Sequence, residues 1–121
     1  MYEAILIIDE INMPLNSGLL GLLVKDFGFL YQGKNFVSYQ ENDWFISFLE
    51  GNNIQSFYNK SEIVQIISHI KTPKFYFVEF NDFPKLQNII FKLGKKYPIM
   101  IDDDRGNIFS KELFLSLLHW G

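Results

Sequence analysis

The chain has 121 residues and a formal net charge of −3, from 11 basic and 14 acidic side chains. Hydrophobic residues make up 48% and charged residues 21%, which supplies one core and excludes a disordered polymer. The acidic balance disfavours a surface that grips a phosphate backbone, so no direct nucleic-acid binding is expected. Cysteine is absent, which removes disulfides, thiolate metal sites and a cysteine nucleophile.

Aromatic residues reach 17%, with 13 Phe, 6 Tyr and 2 Trp. Most of the Phe must be core, because that much apolar area has nowhere else to go. The start, "MYEAILIIDEIN", carries Glu3, Asp9 and Glu10 and lacks the basic start and small-residue cleavage site of a secretory signal. No apolar run approaches the roughly 20 residues of a membrane span. A cytoplasmic protein with no membrane contact is the expectation.

In chain order, residues 2–10 read as a buried strand, a short Ile-rich run that ends in charge. "MPLNSGLLGLLVKDFG" follows as a helix with Leu15, Leu19, Leu22 and Leu23 on one face and Gly28 as its stop, although Gly18 and Gly21 weaken it. "FGFLYQ" and "KNFVSYQ", split by Gln32-Gly33-Lys34, form a hairpin, and "NDWFISFLEGNN" adds a strand, giving an antiparallel meander over 27–50. "NKSEIVQIISHIK" is a helix with Ile63, Ile66, Ile67 and Ile70 on its apolar face and Asn59 or Ser61 as cap. Residues 73–80 are a strand. "NDFPKLQNIIFKLGKKY" is a helix capped by Asp82, buried through Leu86, Ile89, Ile90 and Leu93, and ended by Gly94. "YPIMIDD" is a strand, and "SKELFLSLLHW" is a last helix capped by Ser110. The strand–helix–strand order from 73 to 102 predicts a βαβ unit with two parallel neighbouring strands. The expected fold is a single α+β domain over 1–121, a mixed sheet of about five strands with helices packed on it.

The stretch "IDDDRGNIFSKELF" carries the densest charge. With Gly106 at the sixth position of a calcium loop, Asp103 and Glu112 fit the third and twelfth, but Ile101 and Arg105 occupy ligand positions. Carboxylates at the C-terminal end of a parallel strand suit magnesium-dependent phosphoryl transfer, yet no Gly-rich phosphate loop accompanies Asp102, Asp103 and Asp104. The plain reading is a turn, with Gly106 supplying φ > 0. A further reading makes the loop an acidic surface for a cationic partner.

Other candidates are weaker. His69 and His119 each sit near a predicted helix C-terminus, where the macrodipole accounts for them. Asp26-Phe27-Gly28 spells a kinase metal motif without the rest of a kinase. Lys92, Lys95 and Lys96 end a helix, again as the macrodipole favours. No cofactor-binding motif is present. Tyr31, Tyr39, Trp44, Phe57 and Tyr58 could form a polar–aromatic partner surface, since Tyr and Trp are common interface anchors.

The stretch "KFYFVEFNDFPKLQNIIFKLGKKYPIMIDDDRGNIFSKELFLSLL", residues 74–118, is similar in cadence to small bacterial immunity proteins of contact-dependent growth inhibition and related polymorphic toxin systems. The resemblance is a strand, a helix, a second strand that ends in Asp-Asp and a glycine turn, and an apolar helix. It implies a small, non-catalytic, cytoplasmic protein that binds a toxin domain, often a cationic nuclease, and occludes its active surface. Acidic loops and Tyr/Trp anchors would complement such a partner. The candidate partner residues are Asp102, Asp103 and Asp104, with Glu41, Asp43 and Trp44 as a second patch. The competing class is a metal-dependent enzyme or metal-binding module on the Asp102–Asp104 loop, and the oligomeric state is left open.

Overall fold

The apolar run near the N-terminus becomes β1 (Tyr2–Asp9), and Ala4 to Ile8 are all buried in the computed structural model. Side chains alternate across a strand, so a run buried at every position needs cover on both faces. The structure describes residues 1–11, 13, 17–52 and 54–120. Leu15, expected on the first helical face, lies outside them.

Beside β1 the chain builds β2 (Leu30–Gly33), β3 (Phe36–Glu41), β4 (Trp44–Glu50), β5 (Pro73–Phe80), β6 (Ile99–Asp102) and β7 (Ile108–Ser110). They form one seven-stranded sheet in the order β2-β3-β4-β5-β1-β6-β7. The helices are α1 (Gly18–Phe27), α2 (Lys60–His69), α3 (Phe83–Gly94) and α4 (Lys111–Ser116), with a 3-10 turn over Ile54–Phe57.

The α+β class and the meander agree with the sequence reading, but the sheet differs from it. Every neighbouring pair is antiparallel, and there are seven strands rather than about five. β5 and β6 do run in the same direction, but they are not neighbours. β1 lies between them, paired with β5 from Tyr2↔Phe80 to Asp9↔Pro73 and with β6 from Ile5↔Asp102 to Ile8↔Ile99. The doubly buried Ile-rich strand takes the sheet's inner position, which local patterning does not reveal. β7 was also hidden, because three residues between a turn and a helix cap are too few for an alternation to register.

Local chemistry explains the helix ends. Asn59 caps α2 in a reciprocal box: its Oδ1 accepts from Glu62 N at 2.8 Å while Glu62 Oε1 accepts from Asn59 N at 2.9 Å. Asp82 caps α3, accepting from Lys85 N at 3.1 Å. Ser110 caps α4, which stops at Ser116 instead of running to Trp120. His119 therefore lies beyond the helix, exposed, and not at a helix C-terminus. Ser17 gives α1 no side-chain cap. A carboxylate oxygen of Glu10 accepts from Leu19 N at 3.1 Å and also from the Tyr76 hydroxyl. Gly28 closes α1 at φ 77, in the left-handed region where glycine carries no penalty.

The two faces of the sheet are covered unequally. One face packs under α1, α3, α4 and the C-terminal segment, through Leu19 and Leu23, Leu86 and Ile90, Phe114 and Trp120. The Trp120 ring lies 5.8 Å from Phe83 and 5.5 Å from Phe114, and its Nε1–H donates to Glu3 O at 2.9 Å. The other face carries a smaller cluster of Ile5, Ile7, Phe75 and Met100 under Ile66 and Ile70 at α2. Ile67, expected to be buried with them, is 50% exposed.

Candidate functional site

β6 ends in the loop that holds the three aspartates, and the fold gives each a different role. Asp102 is only 5% exposed and points to the α2 face. Its Oδ2 accepts from the Tyr58 hydroxyl at 2.6 Å and its Oδ1 from Asp104 N at 2.8 Å. Burial pushes the Asp102 carboxyl above the usual range. The Tyr58 hydroxyl and the Asp104 amide oppose that shift, and Asp103 and Asp104 reinforce it through charge. Tyr58 is itself pushed well above its ordinary value by burial and by its bond to Asp102.

Asp103 closes the turn. Its Oδ1 accepts from Arg105 N at 2.8 Å and Asn107 N at 3.1 Å, and its Oδ2 from Asn107 Nδ2 at 2.8 Å. Both oxygens are thus used by the loop itself, as in an Asx turn. Asp104 takes φ 61 and Gly106 φ 95, the left-handed angles this turn requires. Only Asp104 is left facing outward without a hydrogen-bond donor among the described residues.

This division bears on the metal alternative. The carboxylates diverge into a Tyr58 bond, a closed turn and solvent, and no group of three or more potential ligands converges among the described residues. β6 also has antiparallel neighbours, so the crevice that α/β enzymes form at the ends of parallel strands is missing here.

The second patch stands apart. Glu41 ends β3, Asp43 shares the two-residue turn with Asn42, which adopts φ 54, and Trp44 opens β4. Trp44 stacks on Tyr39 at 5.1 Å, Lys85 Nζ sits 5.1 Å above the Trp44 ring, and Tyr39 OH donates to Glu41 Oε2 at 3.0 Å. The Asp43 carbonyl accepts from Asn81 Nδ2 at 2.7 Å. Tyr39 and Glu41 alternate with Val37 toward the three-helix face, whereas Asp102 points to the opposite one. The β3–β4 turn and the aspartate loop share one end of the sheet. β5 and β1 lie between β4 and β6, a gap of roughly 14 Å at the usual strand spacing. These are two patches on two faces.

The fold brings other residues to the aspartate loop. Two adjoining shallow hollows open there on the α2 face. One is lined by Glu3, Ile5, Leu49, Phe77, Glu79 and Asp104. The other is lined by Phe57, Tyr58, Glu62, Phe77, Asp102 and Asp104. Phe57 is 80% exposed and Phe77 39%. Among the described residues, neither hollow has a lysine, arginine or histidine in its lining. Of the five aromatics proposed for a partner surface, Phe57 and Tyr58 stand here. Tyr39 and Trp44 belong to the other face, and Tyr31 lies on the edge strand β2. Glu3, Glu62, Phe77 and Glu79 were not singled out from sequence. The outward alternation of Phe77 and Glu79 within "KFYFVEF" was the available signal, but pairing with Ile5 and Glu3 is what completes the surface.

Comparison with protein-family models, with curated proteins and with solved structures finds no match. Among the described residues no helix is long and apolar enough to cross a membrane.

Proposed function

We propose that this protein is a non-catalytic inhibitor that binds a basic protein, of the kind represented by immunity proteins against cationic toxin domains. One observation carries the reading: Asp104, Glu3, Glu79 and Glu62 gather around exposed Phe57 and Phe77 in hollows with no basic side chain among the described residues. Like-signed carboxylates on a rigid sheet end speed and orient encounter with a cationic surface. Aromatic side chains beside them supply the apolar contact that makes an interface last. A toxin domain built to hold phosphates would present Lys and Arg to such a surface, and occlusion would neutralise it without chemistry. Asp104 is the aspartate suited to this work, because Asp102 and Asp103 are engaged in holding the loop.

The test is capture of partners on the immobilised protein, elution by a salt gradient, and assay of the eluted protein's activity. The reading expects a basic partner whose activity falls to background at one equivalent of this protein. It also expects a D104N/E79Q variant to associate at least tenfold more slowly at low salt and to lose much of the salt dependence. A captured partner whose activity is unchanged at saturation would refute it.

A further inference from the structure

The helical layer on the opposite face of the sheet holds a hollow of the reverse charge. It is lined by the C-terminal ends of α1 and α3 and has a volume of about 450 Å³, within the range of about 300–1,000 Å³ usual for small-molecule sites. Lys25, Lys92 and Lys96 share its lining with one carboxylate, Asp26. The chain as a whole carries a net charge of −3, so this basic gathering is local.

The macrodipole favours a lysine near either helix end, but it does not require two helices to bring theirs to one hollow. Nor are these lysines needed as caps. Leu23 O already accepts from Gly28 N and, at 3.1 Å, from Phe29 N, and Leu93 O accepts from Lys96 N and Tyr97 N, both at 3.1 Å. The ion pairs among the described residues are Lys74–Glu50 and Lys111–Glu112, so Lys25, Lys92 and Lys96 keep their charge unpaired there. Unpaired cations around one concavity focus a positive potential into it and draw in an anion.

Tyr97 adds a second, independent sign of a ligand. It is only 8% exposed and lines the hollow. Its hydroxyl has no hydrogen-bond partner among the described residues, yet no side-chain oxygen there is both sealed from solvent and unpartnered. The hydroxyl therefore opens into the hollow, where a ligand can meet it. The remaining lining is apolar and partly aromatic: buried Leu22 and Leu93, half-buried Phe27 and the Tyr97 ring. A flat ring stacks on such side chains, and every aromatic base has a face for it.

We propose that this hollow binds a small phosphorylated molecule with a flat ring, of the chemistry found in a nucleotide. Its phosphates lie among Lys25, Lys92 and Lys96, and its ring against Phe27 and Tyr97. Asp26 accepts from an amino or hydroxyl group of the ligand, and the Tyr97 hydroxyl supplies a further hydrogen bond. A polynucleotide is not the occupant favoured here, because strand binding tracks a basic groove along many phosphates and this basic area is one hollow. The site lies on the other face from Asp104 and stands or falls separately from the inhibitor reading.

The test titrates ADP, GDP, CDP and UDP, without metal, into isotope-labelled full chain and follows amide chemical shifts. Saturable shifts centred on Lys25, Phe27, Lys92 and Tyr97 are expected with at least one of them. Binding of that nucleotide should be about tenfold tighter than that of its nucleoside or of inorganic pyrophosphate, and about tenfold tighter than its binding to a K92Q/K96Q variant. Both lysines are exposed, so the variant should keep its unliganded spectrum away from the substitutions. Lys25→Gln, on the other helix, should weaken binding in the same direction. Tyr97→Phe keeps the ring and should weaken it about fivefold through the lost hydroxyl. Absence of saturable shifts with all four nucleotides, shifts centred elsewhere, or equal binding by K92Q/K96Q would overturn the proposal. Equal binding of pyrophosphate would also overturn it, because the hollow would then have no place for a ring. So would tighter binding of single-stranded oligothymidine than of any of the four.

Discussion

The two faces of the sheet are built from the same strands and end differently. On one, α1, α3 and α4 bury Leu, Ile and Phe to near zero exposure, and Trp120 locks the C-terminal segment among Phe80, Phe83, Phe109 and Phe114. On the other, Ile66 and Ile70 at α2, with Tyr58 just before it, cover Ile5, Ile7, Phe75 and Met100 and leave Leu30, Leu49 and Phe77 partly exposed. Stability therefore concentrates on the first face and the opportunity for protein binding on the second. Exposed apolar area adds little to the fold, and the proposed partner would give it a use.

Substitutions can break this contrast. The largest effect is expected for Trp120→Ala. It removes a nearly buried ring that touches four others and leaves the Glu3 carbonyl without its donor. A loss of about 3–5 kcal/mol is expected, read by urea unfolding with an unchanged slope. Ile66→Ala on the α2 face should cost about 2–3 kcal/mol, nearer the low end for a buried Ile because α2 is half free to settle into the space. If Ile66→Ala cost more than Trp120→Ala, the assignment of stability to the three-helix face would be wrong. Asn59→Ala should cost about 1 kcal/mol, since it deletes one half of the capping box. Phe77→Thr should shift stability by less than about 1 kcal/mol, although its side chain is the same as those of Phe83 and Phe114 on the other face.

The sequence revealed the elements better than their arrangement. The caps at Asn59, Asp82 and Ser110, the stop at Gly28 and the Leu86–Leu93 stripe were legible because each depends on residues within one or two turns of the helix. The place of β1 between β5 and β6 was not, because strand order is set by which doubly apolar strand must be covered twice, a property of the assembled sheet. The aspartates illustrate the same limit at the site. The Asx turn of Asp103 is local and reads as a turn. The burial of Asp102 depends on Tyr58, 44 positions away in sequence. The companions of Asp104, which are Glu3, Glu79 and Phe77, come from two other strands and were invisible until those strands were paired.

Asp102 offers the finest discrimination between a structural and a functional aspartate. Its folded pKa lies above the ordinary carboxylate value, chiefly because of burial, so the folded protein holds this proton more tightly than the unfolded chain. Between the unfolded and folded values, the stability that Asp102 contributes falls as pH rises, the reverse of a salt-bridged carboxylate. Asp102→Asn keeps the shape and one acceptor for Asp104 N, and the Tyr58 hydroxyl can turn to accept from the new amide. The variant should therefore differ from wild type by less than about 1 kcal/mol at pH 7. The stability difference, wild type minus variant, should decline as pH is raised through the carboxylate range and level off above it. Asp104→Asn removes one of the two neighbouring charges that raise the Asp102 carboxyl, so it should make the pH-dependent decline shallower without abolishing it, and should slow association with a basic partner. A flat difference curve for Asp102→Asn would remove the buried-carboxyl role assigned to Asp102.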